Sequence, residues 1–196
     1  MIRLAVIGDI GSGKSHVAKL FGCPVFNADS EVSKLYKKNR KCYRKLNKAL
    51  PYYINSFPIN KRKLAEAIMF NKNNLKKIIK VIHPEIRKKM NTFIKKNKKN
   101  KIVILDIPLL IENKINKKSD IIIFVDAKKK EIYKRLKKRV NFNNETVKKL
   151  RKIQLPVEFK KRKANFIIKN NFNNNSVKKD VKILKKIILL NARSNS

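Results

Sequence analysis

Glycine is nearly absent from this chain, and three of its four glycines fall within six residues. Gly8, Gly11 and Gly13 lie in residues 8–15, which read GDIGSGKS; Gly22 is the fourth. An apolar run, residues 2–7, precedes the segment, and HVAKLF comes after it. That order predicts a buried strand, a glycine turn and the start of a helix. Glycines let the backbone curl so that successive N–H groups face one anion. The helix N-terminus adds a partial positive charge. The spacing is G-x-x-x-x-G-K-[ST], a cradle for phosphates. In it, Lys14 reaches the β- and γ-phosphates and the Ser15 hydroxyl can ligate Mg²⁺. The bland alternative is a strand–helix turn that holds no ligand.

The 196 residues suffice for one domain with a real core, and 42% of them are apolar. Runs such as 102–105 and 121–125 fall far short of the roughly 20 residues a membrane helix needs. The N-terminus carries no secretory signal pattern. A cytoplasmic protein is expected, with no membrane partner. Cys23 and Cys42 match no zinc spacing and are expected to be reduced thiols.

The formal charge is +39, from 52 basic and 13 acidic residues. Lysine supplies 42 of the basic residues and arginine 10, with 24 Asn and 26 Ile beside them. Lys, Asn and Ile have A/T-rich codons, so compositional drift is a sufficient cause. The lysines are spread along the chain, and arginine, which base readout favours, is scarce. No specific nucleic-acid partner is expected, only salt-sensitive sticking to polyanions. A monomer or small homo-oligomer is expected.

Continuous apolar runs at 102–106 and 120–126 read as strands buried on both faces. PVFNAD and residues 165–170 read as further strands. Residues 30–99 read as helices broken at Pro51, Pro58 and Pro84. Helices are also expected at 128–138, 145–153, after Pro156 and at 176–190. Strands alternating with helices predict an α/β fold. Its centre is a P-loop NTPase core, a parallel sheet flanked by helices, with a helical substrate lobe and a lid. Within one kinase domain, 1–196, the core is about 1–29, 100–127 and 164–196. The helical lobe is about 30–99 and the lid about 128–163.

The P-loop implies a nucleotide but no particular reaction. A GTPase would carry DxxG and NKxD; Asp106 is followed by IPL, and NKKSD has the wrong spacing. A small kinase fits the length. Asp29 comes just after the second strand, where ligands gather in such sheets. There a carboxylate could orient an acceptor hydroxyl and take its proton, or it could merely cap a helix beginning at Ser30. Arg135 and Arg139 lie four apart on a helix, suited to phosphate or to a solvated basic face. Asp106 and Asp126 each end a strand; Asp106 is preferred as a water-mediated Mg²⁺ ligand. Glu112 reads as a substrate contact or an exposed helix-end charge.

These residues resemble the dephospho-CoA kinase family along nearly the whole chain. The resemblance rests on GDIGSGKS, on Asn27-Ala28-Asp29, on INKRKLAEAIMF around Arg62, and on IHP with His83. It continues through DIPLLIE from Asp106 to Glu112, RLKKR with Arg135 and Arg139, Gln154, and the closing FIIKN at Asn170. The resemblance implies ATP-dependent phosphorylation of the ribose 3′-hydroxyl of dephospho-CoA, the last step of coenzyme A biosynthesis. ATP is then the phosphoryl donor and Mg²⁺ the metal. Gly11, Ser12, Gly13, Lys14, Ser15 and His16 would hold the ATP phosphates, and Asn170 would lie near the adenine. Asp29 would be the base or hydroxyl-orienting group, with Arg62, His83 and Glu112 on the acceptor side. Lys14 and Arg139 would stabilise the transferring phosphate, and Ser15 and Asp106 would serve the metal.

The chain departs from the family pattern in places. His16 stands for the usual Thr, and Asn165 for the Asp of an Ala-Asp pair. Asp9 stands for Gly and is expected to turn its carboxylate outward, away from the phosphates. Two other readings stay open at this level: a small-molecule P-loop kinase with a nucleoside, nucleotide or shikimate-like acceptor, and a basic nucleic-acid-binding protein with a vestigial P-loop.

Overall fold

The computed structural model describes residues 1–138 and 144–194. They form two compact units: Met1–Phe26 with the described residues from Asn97 onward, and Asn27–Lys96. The first unit is built on a five-stranded sheet in the order β2-β3-β1-β4-β5. Its strands are β1 (Ile2–Gly8), β2 (Val25–Asn27), β3 (Ile102–Asp106), β4 (Ile121–Asp126) and β5 (Phe166–Lys169). The pairs β1–β3, β1–β4 and β4–β5 are parallel.

The uninterrupted apolar strands are explained by burial on both faces. Leu4, Val6, Ile104, Ile123 and Val125 pack with Val17, Ala18 and Phe21 of α1 (Lys14–Leu20) and its C-cap. Val177, Val181 and Ile188 of α9 (Asn174–Ser194) complete that side. The alternate residues Ala5, Ile7, Val103, Leu105 and Phe124 are equally buried. With helices on both faces, no polar alternation is needed. Between β4 and β5 lie α6 (Lys129–Lys137), α7 (Asn144–Lys152) and α8 (Val157–Arg162).

One buried ion pair closes the start of the sheet. Arg3 Nη2 donates to Asp120 Oδ2 at 3.0 Å, and Arg3 Nε lies 2.9 Å from Oδ1. Burial pushes the Asp120 carboxyl above its ordinary value, while the Lys117 backbone N–H and Arg3 pull the other way. Neither half can be removed alone without leaving the other charge buried and unpaired.

The second unit holds α2 (Ala28–Lys38), α3 (Arg40–Ala49), α4 (Lys61–Phe70) and α5 (Lys72–Lys96). The first three pack on α5. Glu31 of α2 bridges Lys34 at 2.5 Å and Lys89 of α5 at 3.3 Å. Chain breaks do fall at Pro51 and Pro58, but α5 runs through Pro84 without ending. The local cost of an internal proline is about 3 kcal/mol. The stripe Asn74, Ile78, Ile82, Ile86 and Met90, buried along the whole helix, outweighs it.

Arg3→Met should destabilise the protein by about 3 kcal/mol or more in urea unfolding, because it strands the Asp120 charge in the core. A change below about 1 kcal/mol would contradict the role given to the pair.

Candidate active site

The phosphate cradle is assembled at the carboxyl ends of β1 and its neighbours. Gly8 ends β1 in register with Val125 of β4, and Val6 is in register with Asp106 of β3. The loop then bends through Gly11 (φ +84°) and Gly13 (φ +91°), a region L side chains rarely adopt. Space is tight at Gly11 and closed at Gly13. A Cβ on Gly11 would meet Ile132 and Leu136 of α6 at 3.1 Å, and one on Gly13 would collide with the Asn170 amide.

Asn170 is the brace of this loop. It directly succeeds β5 and is 3% exposed. Its Nδ2 donates to the Ser12 carbonyl at 2.8 Å, and its Oδ1 accepts the Phe172 N–H at 2.9 Å. Both ends of the amide are thus engaged within the protein. Phe172 is covered in turn by Arg135, whose guanidinium carbon lies 4.5 Å from the ring centre. Ser12 Oγ is buried beside Gly8 without a hydrogen-bond partner. An orphaned hydroxyl in a loop of this shape suits a phosphate oxygen.

Lys14 Nζ donates to the Asp9 carbonyl at 2.7 Å, so the lysine lies folded along the loop. Ser15 and His16 are exposed on the first turn of α1. His16 Nε2 lies 3.0 Å from Asn174 Oδ1 at the start of α9. Asp106 is 1% exposed at the end of β3. Asp126, at the end of β4, has its carboxylate 3.3 Å from Lys161 Nζ. Among the described residues no cluster of three or more His, Cys, Asp or Glu could hold a metal ion. The donor set, one serine hydroxyl and one buried carboxylate, fits a cation carried mainly by phosphate and water.

Asp9 engages its carboxylate within the protein. Its side chain is only 15% exposed, with Oδ2 3.1 Å from Arg151 Nη2 of α7 and Oδ1 accepting the Ile10 N–H at 2.6 Å. Arg151 carries no motif that would have singled it out. Glu112 also proves to be tied in: Oε1 accepts the Leu155 N–H at 3.1 Å and lies 3.4 Å from Lys160 Nζ. Lys160 is 1% exposed and donates to Gln154 Oε1 at 2.8 Å. Glu112 and Gln154 line a cavity of about 670 Å³.

Asp29, Arg62 and His83 belong to the second unit. Asn27, not Asp29, caps α2, accepting the Ser30 N–H at 2.7 Å. Asp29 therefore sits one residue into the helix and is exposed. Arg62 is exposed on the first turn of α4. His83 is half-buried on α5, and burial, then Arg87, pushes its pKa below 6.5. Arg139 lies outside the described residues.

A parallel sheet with a lysine-bearing glycine loop at its carboxyl edge defines a P-loop phosphotransferase. The sequence model of the family described as dephospho-CoA kinase matches residues 2–176. The chain belongs to that family. It is 32% identical over 176 residues to a dephospho-CoA kinase of Zymomonas mobilis, covering 88% of this chain and 89% of the relative. It is 33% identical over 170 residues to one of Wolbachia pipientis, covering 84% and 87%. A Thermus thermophilus crystal structure superposes with a TM-score of 0.75 at 26% identity, over 93% of this chain and 95% of that one.

Asn170→Ala should weaken ATP and GTP binding by a similar factor, about tenfold, in calorimetry, since it frees the loop and not a base contact. A loss confined to ATP would instead assign the side chain to adenine. Below pH 6.5 the unfolded chain binds the His83 proton more readily than the folded one, so stability falls with acidification there. His83→Gln should lose less stability than the wild type between pH 7.5 and 5.5 in denaturant titrations.

Proposed function

We propose that this protein transfers the γ-phosphoryl group of ATP to the ribose 3′-hydroxyl of dephospho-CoA, giving CoA and ADP. The observation that carries the reading is the braced loop: Gly11 and Gly13 at positive φ, Asn170 on the Ser12 carbonyl, and Lys14 lying along it. Family membership supports the acceptor.

Phosphoryl transfer of this kind needs positioning and charge stabilisation more than covalent help from the protein. In our reading, residues 11–16 hold the phosphates, and Lys14 moves from the Asp9 carbonyl to the β- and γ-oxygens. Arg139, from the lid, completes the neutralisation. Ser15, and Asp106 through water, would hold Mg²⁺, which when bound offsets charge on the phosphates. The place of Asp106 at the end of β3, in register with Val6 just before the glycine loop, supports this role. A cavity of about 700 Å³ lined by Asp126, Lys128, Asn170 and Asn171 supports an adenine site near Asn170, whose amide itself is spent on backbone groups.

Asp29 takes the acceptor hydroxyl's proton or orients it. Its exposed place on the first turn of α2, directly after β2, supports this. Arg62 and His83 serve the acceptor side. We place the reaction in the cytoplasm, a reading supported by the two cysteines, both free thiols as a reducing compartment keeps them. No helix among the described residues is long and apolar enough to cross a membrane.

The test is ADP release with Mg²⁺ and ATP, with and without dephospho-CoA, and with AMP and shikimate as control acceptors. ADP formation that depends on dephospho-CoA and yields CoA is the expected result. Asp29→Asn should lower kcat by about a hundredfold or more while the Kd for ATP stays within about twofold. Lost ATP binding or a collapsed fold in that variant would refute the assignment.

A further inference from the structure

A carboxylate inside a phosphate-binding loop is an electrostatic fault, because it repels the anion the loop exists to hold. Asp9 occupies such a position, second in the GDIGSGKS segment. The structure supplies it with an answer from far along the chain. Arg151, 142 residues away, places Nη2 3.1 Å from Asp9 Oδ2. The other carboxylate oxygen accepts the Ile10 N–H at 2.6 Å, which fixes the rotamer facing Arg151. Asp9 is 15% exposed and Arg151 46%, so the acid is the more desolvated partner.

The neighbouring cation has a different task. Lys14 Nζ is directed to the Asp9 backbone carbonyl, 2.7 Å away. In phosphate transfer that lysine is needed by the nucleotide. Arginine is also scarce here, 10 residues against 42 lysines, and a planar fork is what a carboxylate prefers.

We propose that Arg151 is a positioning residue for ATP: it cancels the Asp9 carboxylate within the phosphate loop and thereby ties α7 to that loop. The pair acts as one device. Arg151 is needed because Asp9 is present, and its removal exposes the nucleotide to an uncompensated negative charge. The inference rests on the loop being the ATP site.

The experiment is a double-mutant cycle on the full chain: Arg151→Gln, Asp9→Asn and the two combined. Calorimetry gives the Kd for ATP, and steady-state assays give KM and kcat with dephospho-CoA. Arg151→Gln should raise Kd and KM for ATP about tenfold and change kcat by less than about twofold. Adding Asp9→Asn should bring both back to within about twofold of wild type, because the isosteric amide keeps the Ile10 contact without the charge. KM for dephospho-CoA should stay unchanged throughout.

If the combined variant is as impaired as Arg151→Gln alone, Arg151 acts without Asp9 and the proposal is overturned. Unchanged ATP binding in Arg151→Gln overturns it as well. Absence of ATP binding in the wild type would instead defeat the assignment of the loop, and the wild-type titration shows this before any variant is made.

Discussion

The amide of Asn170, set against Gly13 and bonded to the Ser12 carbonyl, is the contact on which the rest of the site depends. A loop that points several N–H groups at one spot is unfavourable alone, since its dipoles repel and its dihedrals are those only glycine tolerates. It persists when neighbours over-determine it. Here α6 closes on Gly11, pairing with β4 fixes Gly8, and Asn170 locks the far side. The order of strands reflects this need. With β1 at the centre, the loop emerges where both flanking strands also end, and Asp106 and Asp126 arrive on either side of it.

The sheet was largely legible in the sequence, because strands buried on both faces announce themselves as continuous apolar runs. IVILD and DIIIFVD became β3 and β4 with little change at their ends. The glycine loop was legible for a different reason: in a chain with four glycines, each one marks a place where a side chain cannot go. Local signals failed where a distant partner decided the outcome. Pro84 reads as a helix end, yet a buried stripe on both sides of it carries α5 onward. Ser30 reads as the start of α2, yet Asn27 caps it three residues earlier.

Side-chain partners were the least legible part of the site. Nothing in the spacing of Asp9 and Arg151 links them, and Asp9 alone suggests only that its charge should point away. The Glu112–Lys160–Gln154 group is similar: a lysine among 42 gives no hint that it is buried. Periodicity reports which face of an element is buried. It is silent about which charge on one element meets which charge on another, since those pairs are set by the tertiary fold.

Glu31 illustrates how so uneven a charge balance is shared out. One carboxylate serves Lys34 on its own helix and Lys89 on another, and Lys161 likewise lies near both Asp126 and Glu158. With four basic residues for every acidic one, Glu31 retains a cation when either lysine is replaced, whereas most lysines can have no carboxylate of their own. Mutational tolerance is therefore lopsided. Replacing Lys34 or Lys89 leaves Glu31 one partner, whereas removing Glu31 releases both lysines at once.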